Sequence, residues 1–385
     1  MVDKKAPELR FKGFSQDWKL CKLNEKVEFF NEKRIPIESD IRESGQYPYY
    51  GATGIIDYVK DYIFDGEYVL LAEDGANILT RNSPIAYITE GRFWLNNHAH
   101  IMKMKIGTNY FLLQLLERIN YEKFNSGTAQ PKLNSQVVKN MVFNFPSEEE
   151  QSKTGSFFKQ LDETITLHQR KLDKTLSVRT GILESLFPSR NDDTPVLRVT
   201  HFNSKWNQCN LGDCFDERNE KSQDGELLSV TIDRGVVLTS SLNRVDNSSD
   251  DKSNYKLVLP NDIAYNSMRM WQGASGVSNF KGIVSPAYTV LKPKPNISSH
   301  FFAYMFKLRH MIQMFEKHSQ GLTSDTWNLK FPALSKINVR IPESLEEQTL
   351  IVNLLQSVDQ TIEYHQNELV QLKQLKSVYL QKMFI

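Results

Sequence analysis

The sequence predicts an α+β protein with two similar globular units, each followed by a long helix, and with the two helices packed as an antiparallel coiled coil with pseudo-two-fold symmetry. The main observation is that the chain repeats itself, because the segment that opens each half and the helical segment that closes it both occur twice. The stretches between them differ in sequence and mix short apolar runs with amphipathic ones, as mixed α and β domains do. A length of 385 residues accommodates two domains of ordinary size.

The composition is that of a soluble globular protein, with 40% hydrophobic and 24% charged residues. No apolar run is long enough to span a bilayer, and the N-terminal segment lacks the apolar core of a signal peptide. Three cysteines, Cys21, Cys209 and Cys214, are few and odd in number, which favours a reducing compartment over a disulfide framework. We therefore expect a cytoplasmic protein without membrane contact.

The opening segments are the first repeated feature. Leu9–Leu23 reads LRFKGFSQDWKLCKL, and Leu197–Leu211 reads LRVTHFNSKWNQCNL. The residues shared at constant spacing are Leu9, Arg10, Phe14, Trp18, Cys21 and Leu23, which recur as Leu197, Arg198, Phe202, Trp206, Cys209 and Leu211. We predict short strands and turns that close the start of each unit, and we place the two units at residues 1–145 and 197–341.

The middles of the two units share little sequence, so their elements are predicted separately. Short apolar runs at Tyr68–Ala72 and Tyr288–Leu291 predict strands. Longer amphipathic stretches at Asn109–Leu116 and His300–Phe315 predict helices.

Each unit is followed by a predicted helix, at residues 146–188 and 342–385, with a linker at 189–196 after the first. Both helices open with Ser-x-x-Glu, at Ser147 and Ser344, which predicts a capping box in which hydroxyl and carboxylate satisfy backbone N–H groups. Apolar residues then recur every three or four positions and predict a seam, meaning the apolar stripe along which the helices meet. The predicted seam includes Phe158, Leu161, Ile165, Leu172, Leu176, Leu183 and Leu186, and then Leu355, Val358, Ile362, Leu369, Leu372, Leu375 and Met383.

The centre of each helix carries the clearest repeat. LDETITLHQRKL at Leu161–Leu172 matches VDQTIEYHQNEL at Val358–Leu369 at six positions, among them a histidine. We interpret the histidines as polar residues in a helix–helix contact rather than as a metal site, because no further metal-ligating side chains accompany them. The residues predicted to hold the helices together as a spacer are Leu161, Ile165, His168, Leu172, Val358, Ile362, His365 and Leu369.

The charge distribution suggests a polyanionic partner. The formal net charge is only +1, but no acid occurs between Asp262 and Glu316, where six Lys and Arg residues are found. Two shorter acid-free stretches lie between Glu90 and Glu117 and between Glu122 and Glu148. Such windows suit a surface that faces phosphate, since nearby carboxylates would repel it.

Catalytic signatures are scarce. The sequence contains no Walker A loop, no Pro-Asp with Glu-x-Lys nuclease pattern and no Gly-x-Ser-x-Gly elbow. Ser285-Pro-Ala-Tyr288 resembles the [Asp/Asn/Ser]-Pro-Pro-[Tyr/Phe] tetrapeptide of amino-methyltransferases, with Ala287 in place of the second proline. A fused adenine-N6 methyltransferase, which would bind S-adenosylmethionine by itself, therefore stays open as an alternative, as does a coiled-coil scaffold without DNA contact.

The order of the motifs along the whole chain resembles the specificity subunits of type I restriction–modification systems. The segments that carry the resemblance are VLLAEDGAN (Val69–Asn77), NNHAHIMK (Asn96–Lys103), SGTAQPKL (Ser126–Leu133), PSEEEQ (Pro146–Gln151), NSMRMWQGASGVSNFKGIVSPAYTVLKP (Asn266–Pro293), SQGLTSDTWNLKF (Ser319–Phe331) and LEEQ (Leu345–Gln348). The globular units then correspond to target recognition domains. A specificity subunit of a related split-site type II system is the alternative within this resemblance.

The resemblance implies a non-catalytic DNA-recognition subunit. Each recognition domain would read one half of a split sequence in double-stranded DNA, and the helices would set the gap. Two modification (methyltransferase) subunits would dock on the chain and methylate adenine with S-adenosylmethionine, and restriction (translocase and endonuclease) subunits would add ATP- and Mg-dependent cleavage. The chain itself would bind no cofactor and no metal. Because the two middles differ, we expect an asymmetric site with two different half-sites.

The candidate DNA contacts are polar, basic and supporting aromatic residues in these motifs. In the first unit they are Asn77, Arg81, Asn97, His98, Thr128, Gln130 and Lys132. In the second unit they are Arg269, Gln272, Ser275, Lys281 and Trp327.

Overall fold

A computed structural model describes residues 6–127, 130–190, 192–198, 201–242, 248–324 and 326–385. The chain divides into two compact units. Unit 1 comprises Met1–Arg170 and His365–Ile385, and unit 2 comprises Lys171–Tyr364. Two long helices therefore each begin in one unit and end in the other.

Unit 1 contains ten strands, counted among its described residues. They are β1 (Lys19–Lys22), β2 (Val27–Phe29), β3 (Ser44–Gly51), β4 (Gly54–Val59), β5 (Phe64–Asp65), β6 (Tyr68–Ala72), β7 (Ala86–Thr89), β8 (Arg92–Leu95), β9 (Ala99–Met104) and β10 (Val142–Phe145). Its short helices are α1 (Leu23–Lys26), α2 (Asn77–Thr80), α3 (Asn109–Glu117) and α4 (Ser135–Lys139), and the first long helix is α5 (Glu148–Ser185). The strands form two four-stranded sheets, ordered β2-β9-β6-β7 and β4-β3-β8-β5, and the pair β1-β10.

Unit 2 repeats this inventory. Its strands are β11 (Asn207–Asn210), β12 (Phe215–Glu217), β13 (Glu226–Thr231), β14 (Gly235–Leu238), β15 (Lys256–Val258), β16 (Ile263–Asn266), β17 (Ser275–Val277), β18 (Gly282–Val284), β19 (Tyr288–Pro293) and β20 (Asn338–Ile341). Its helices are α6 (Leu211–Cys214), α7 (Ser299–Met305), α8 (Arg309–His318) and α9 (Phe331–Leu334), and the second long helix is α10 (Leu345–Lys382). The sheets are β12-β19-β16-β17, β14-β13-β18-β15 and β11-β20.

The two units have the same sheet topology although their middles share little sequence. Each sheet of unit 1 has a counterpart in unit 2 with the same order, and β3 pairs with β8 in parallel as β13 pairs with β18. The central strands are buried, with Val69–Ala72 in β6 fully inaccessible to solvent, which explains their continuous apolar sequences. The predicted α+β class, the repeated units and the two long helices are confirmed.

One predicted helix was wrong. His300–Phe315 forms two helices, α7 and α8, because Leu308 adopts an extended backbone conformation between them. The break lets the apolar side chains of both helices enter the same core, where Phe306, Leu308 and Phe315 are buried. A single straight helix would direct part of this set towards solvent.

The capping boxes are only half formed. The Ser147 and Ser344 hydroxyls accept the backbone N–H groups of Glu150 and Glu347, at 3.4 Å in both cases. The carboxylates instead bind the opening segment of their unit. Glu150 accepts two hydrogen bonds from Arg10, at 2.8 and 2.7 Å, which raises the pKa of that guanidinium.

Unit 2 repeats this ion pair. Glu347 accepts hydrogen bonds from Arg198 at 2.9 and 3.0 Å and from the Trp206 indole at 3.1 Å. The arginine and the tryptophan of the repeated opening segment therefore anchor it to the start of the long helix. The predicted capping role of Ser147 and Ser344 is confirmed, but the prediction that Glu150 and Glu347 cap the same helices was wrong.

The long helices pack antiparallel within each unit. In unit 1, Lys376 pairs with Asp162 at 2.6 Å, and the Nδ1 atoms of His168 and His365 lie 3.2 Å apart. In unit 2, Arg179 pairs with Asp359. The two ion pairs join repeat-related residues. Because partly exposed ion pairs contribute little stability, the main effect of these duplicated polar residues is to specify how the two helices pair.

The predicted spacer residues differ in how far they are buried. Leu161, Leu172, Ile362, His365 and Leu369 are buried, and Ile165, His168 and Val358 are half-buried. Two seam residues were predicted wrongly, because Leu176 and Leu375 are each 42% exposed. Residues of the seam are on average about 3.5 positions apart, so the seam continues from Leu172 to Arg179 and from Leu369 to Lys376. Leu176 and Leu375 therefore lie one position away from the stripe where the helices meet.

Three further features bear on function. Among the described residues, no helix is long and apolar enough to cross a membrane. Within the same part of the chain, no group of three or more His, Cys, Asp or Glu side chains is arranged to hold a metal ion. The Cys209 and Cys214 sulfurs are 3.6 Å apart as free thiols.

Candidate nucleic-acid interface

Three loops of unit 1 converge beyond the end of β6. We define the first loop cluster as residues 73–77, 96–98, 125–127 and 130–133. Backbone hydrogen bonds join the loops: Glu73 N–H donates to His98 O at 2.9 Å, Leu133 N–H to Glu73 O at 2.7 Å, and Gly75 N–H to Pro131 O at 3.0 Å. The backbone thus brings three segments that are far apart in sequence onto one small surface.

A largely buried ionic network beneath the surface supports the first loop cluster. Arg34 donates to Glu73 at 2.6 Å and to the carbonyl of Ala99 at 2.8 Å, and His100 Nδ1 lies 3.4 Å from Glu73. Burial alone would raise the pKa of Glu73, but the hydrogen bond from Arg34 and the neighbouring positive charges leave it below the ordinary value. Burial lowers the pKa of His100. Glu73 is therefore an ionised anchor for the loops at neutral pH.

Four of the predicted contacts lie exposed together on this surface. They are Asn97, His98, Gln130 and Lys132. His98 Nδ1 is 2.9 Å from Asp74, and Lys132 Nζ is 3.6 Å from Glu73. The arrangement places amide, imidazole and ammonium groups side by side, which are groups able to bond base edges and phosphates.

The remaining candidates of unit 1 differ from these four. The Asn77 side chain bonds the 83–84 segment, donating to Ser83 O at 3.0 Å and accepting from Ser83 N–H at 2.9 Å. Arg81 bonds the backbone and the side chain of Glu117 at the end of α3. Both side chains are thus engaged within the fold, and Thr128 lies outside the described residues.

Unit 2 has a matching set of loops. We define the second loop cluster as residues 267–273, 285–287, 319–324 and 326–329. Leu329 N–H donates to Ser267 O at 2.8 Å, which is the counterpart of the bond between Leu133 and Glu73 in unit 1. In place of the ionic anchor, Ser267 and Thr289 hydroxyls bond each other at 2.9 Å, and the rings of Trp271 and Trp327 meet edge to face at 5.3 Å.

The candidates of unit 2 are partly brought together. Arg269 and Gln272 are exposed in the second loop cluster, and Trp327 is half-buried there. Ser275 begins β17 and is only 1% exposed, so its side chain does not reach the surface of the second loop cluster. Lys281 is exposed but precedes β18, at the opposite end of that strand from the 285–287 turn.

The methyltransferase-like tetrapeptide is a turn of the second loop cluster. Tyr288 N–H donates to Ser285 O at 3.0 Å, so the segment closes the connection from β18 to β19. The same connection in unit 1 carries Asn97 and His98. The tetrapeptide therefore occupies the position equivalent to the Asn97–His98 segment of the first loop cluster.

Sequence reasoning missed Arg34, Glu73, Asp74 and Met268. Arg34 and Glu73 organise the first loop cluster, and Asp74 and the exposed Met268 occupy matching positions in the two clusters. The sequence carries no signal for these roles, since they depend on backbone pairing between distant segments.

Comparisons with known proteins agree with this layout. The family model for the type I restriction modification DNA specificity domain matches residues 15–176 and 203–374. A type I restriction enzyme specificity subunit of Haemophilus influenzae is 38% identical over 141 residues, 36% of this chain, and the chain spans only 35% of that protein's length. A type I specificity subunit of Mycoplasma pneumoniae is 22% identical over 322 residues, with 81% of each protein covered.

One solved structure shares the fold over nearly its whole length. The crystal structure of a type I restriction–modification S subunit from M. genitalium superposes with a TM-score of 0.67, at 13% sequence identity and with 99% of each chain covered.

Proposed function

The chain belongs to the family of type I restriction–modification DNA specificity subunits, and from that premise we propose that it reads a split, asymmetric DNA site, with one half-site per unit and the long helices setting the gap. The observation that carries this proposal is the pair of loop clusters. Equivalent backbone bonds, from Leu133 to Glu73 and from Leu329 to Ser267, present different side chains in the two units. Two loop clusters with the same backbone arrangement but different side chains are suited to the recognition of two different DNA sequences.

The exposed side chains divide by role. We propose that Asn97, His98 and Gln130 in unit 1 and Gln272 in unit 2 contact base edges or the nearby backbone, with Arg269 and Lys132 supplying charge for guanine or phosphate. Trp327 supports its loop by packing on Trp271. We propose no direct DNA contact for Asn77, Arg81 and Ser275, because their side chains are bonded within the fold or buried. Lys281 lies away from the second loop cluster and could contact only a phosphate.

The partners follow from the family. We propose that two modification subunits dock on the chain and supply S-adenosylmethionine, and that restriction subunits supply the ATP- and Mg-dependent steps. The chain itself then performs no catalysis and binds none of these cofactors. The cytoplasm remains the expected location, since the partners and the host DNA are found there.

Single substitutions test the base-reading residues. We expect Arg269→Ala and Gln130→Ala each to weaken specific binding by ~1–3 kcal/mol, with relaxed preference at one position of the half-site of the altered unit. Equilibrium binding of the assembled complex to a panel of single-position site variants measures this effect. Lys336→Ala, which removes an exposed charge of unit 2 outside the second loop cluster, is the matched control. Unchanged binding and methylation in both variants would refute these assignments.

Domain exchange tests the proposed function as a whole. We expect that replacing residues 1–145 with the corresponding part of another family member changes the first half-site and leaves the second unchanged, because each loop cluster is built within its own unit. The donor must carry Arg at position 10, so that the ion pair with Glu150 is kept. Methylome sequencing of cells with the hybrid and the cognate modification subunit gives the new motif. A folded, assembled hybrid that loses both half-sites would contradict independent reading.

A further inference from the structure

We propose that Asp74 and Lys132 together read a C·G base pair in the half-site of unit 1, an inference that rests on the proposed DNA-reading function. Neither the acid nor the pair as a unit is apparent from the sequence, where the two residues are far apart.

The backbone places the two side chains next to each other. Asp74 and Lys132 are direct partners in an isolated antiparallel bridge. Residues directly opposed in such a bridge point to the same face, with Cβ atoms about 4.5–5.5 Å apart. The Asp74 side chain is 20% exposed and the Lys132 side chain is 52% exposed, so both reach the surface of the first loop cluster.

The charges of the cluster single out Asp74. Its loops contain two acids, and Glu73 is taken up by Arg34 beneath the surface. Asp74 is the acid that faces outward, in a neighbourhood whose other loops lie in acid-free windows. A carboxylate beside DNA phosphates is repelled, so its presence suits a contact that only an acceptor can make.

Cytosine is the base whose edge fits. Its N4 amino group is a donor in the major groove, whereas guanine offers O6 and N7, thymine offers O4, and adenine sets its N7 acceptor beside its N6 donor. Lys132 then donates to O6 or N7 of the paired guanine. An acceptor next to a cation thus matches the donor and acceptor order of a C·G pair.

His98 holds the carboxylate in place and leaves it able to accept. Its Nδ1 lies 3.0 and 2.9 Å from the two Asp74 oxygens, and each carboxylate oxygen has a second lone pair. This contact fixes the direction of the Asp74 side chain and leaves its carboxylate able to accept a further hydrogen bond.

Unit 2 lacks the same acceptor and cation pair at the matching positions. The correspondence of Glu73 with Ser267 and of Leu133 with Leu329 aligns Asp74 with Met268 and Lys132 with Asn328. The inference therefore concerns the first half-site alone and gives a physical reason for unequal half-sites.

The test compares Asp74→Asn with the wild-type chain and with Asp61→Asn, which removes an equal charge from an exposed position of unit 1 outside the cluster. Asparagine keeps an oxygen for His98 but adds an amide donor, which suits thymine O4 and the N6/N7 edge of adenine. Each complex is assembled with its modification subunit and analysed by methylome sequencing and by binding to duplexes with T·A in place of the C·G pair. Domain exchange assigns the half-site to unit 1.

We expect a fixed C·G pair in the first half-site of the wild type. Asp74→Asn should reduce discrimination against T·A at that position alone by about 5- to 150-fold, with Asp61→Asn unchanged. A first half-site without a fixed C·G pair overturns the inference, and the wild type alone decides this. Full discrimination in Asp74→Asn, or an equal loss at every position, also overturns it. Absence of any split motif in the wild type would refute the proposed function itself.

Discussion

Replacing Glu347 with alanine should destabilise unit 2 by about 3–5 kcal/mol, because the change leaves a half-buried arginine without its buried partner. The carboxylate is 1% exposed and accepts two hydrogen bonds from Arg198 and one from Trp206. Its loss leaves both the guanidinium and the indole N–H without their acceptor, and it detaches the opening segment from the start of α10. Thermal and denaturant unfolding of the purified chain measure the effect.

Glu346→Ala provides the matched control. Glu346 is the preceding residue of α10 and is exposed, so its removal should change stability by no more than about 0.5 kcal/mol. Glu150→Ala should act in the same direction in unit 1, where Glu150 binds Arg10. If Glu347→Ala unfolds at the same denaturant concentration as Glu346→Ala, the ion pair does not anchor the opening segment.

Inserting four helix-favouring residues between Arg170 and Lys171 should lengthen the DNA gap by one or two base pairs. Four residues add about 6 Å of helix, while B-DNA advances about 3.4 Å per base pair. Four residues are also close to one helical turn, so the seam stays roughly in phase. Both residues at the insertion point are exposed. Methylome sequencing should give both half-sites unchanged and only the gap altered.

A second variant refines this test. Since α10 also passes from unit 2 into unit 1, a further four residues between Gln366 and Asn367, both exposed, keep the two helices equal in length.

A single inserted residue rotates the remainder of the helix by about 100° and should abolish assembly or activity. An unchanged gap with full activity in both four-residue variants would show that the helices do not set the gap.

The repeated parts of the chain were predictable from sequence, and particular residues show why. Arg10 and Trp18 recur 188 residues later and the central helix motif recurs 197 residues later, so duplication and the long helices follow directly. The sheet order of the middles could not be predicted, although several of their strands and helices were, because many sequences satisfy the same pairing of backbone groups. The seam prediction was wrong at Leu176 and Leu375 because both lie one position off a stripe whose average step is about 3.5 residues, although their spacing from other apolar residues looks helical.

The candidate site was predictable only as a set of loops. Asn97, His98, Gln130 and Lys132 were identified from motif and charge, and the structure places them on one surface. Buried or internally bonded side chains such as Ser275 could not be told from exposed ones by residue type. The juxtaposition of Asp74 with Lys132 depends on one bridge between segments of distant sequence, which no periodicity reveals.

The most direct test of the central claim is methylome sequencing of a host with and without this chain, in the presence of its cognate modification subunit. We predict adenine-N6 methylation at one split, asymmetric motif, in both halves, that disappears when the chain is absent. Methylation that is unchanged without the chain, or a motif that is contiguous or palindromic, would contradict the account of two units that read two different half-sites.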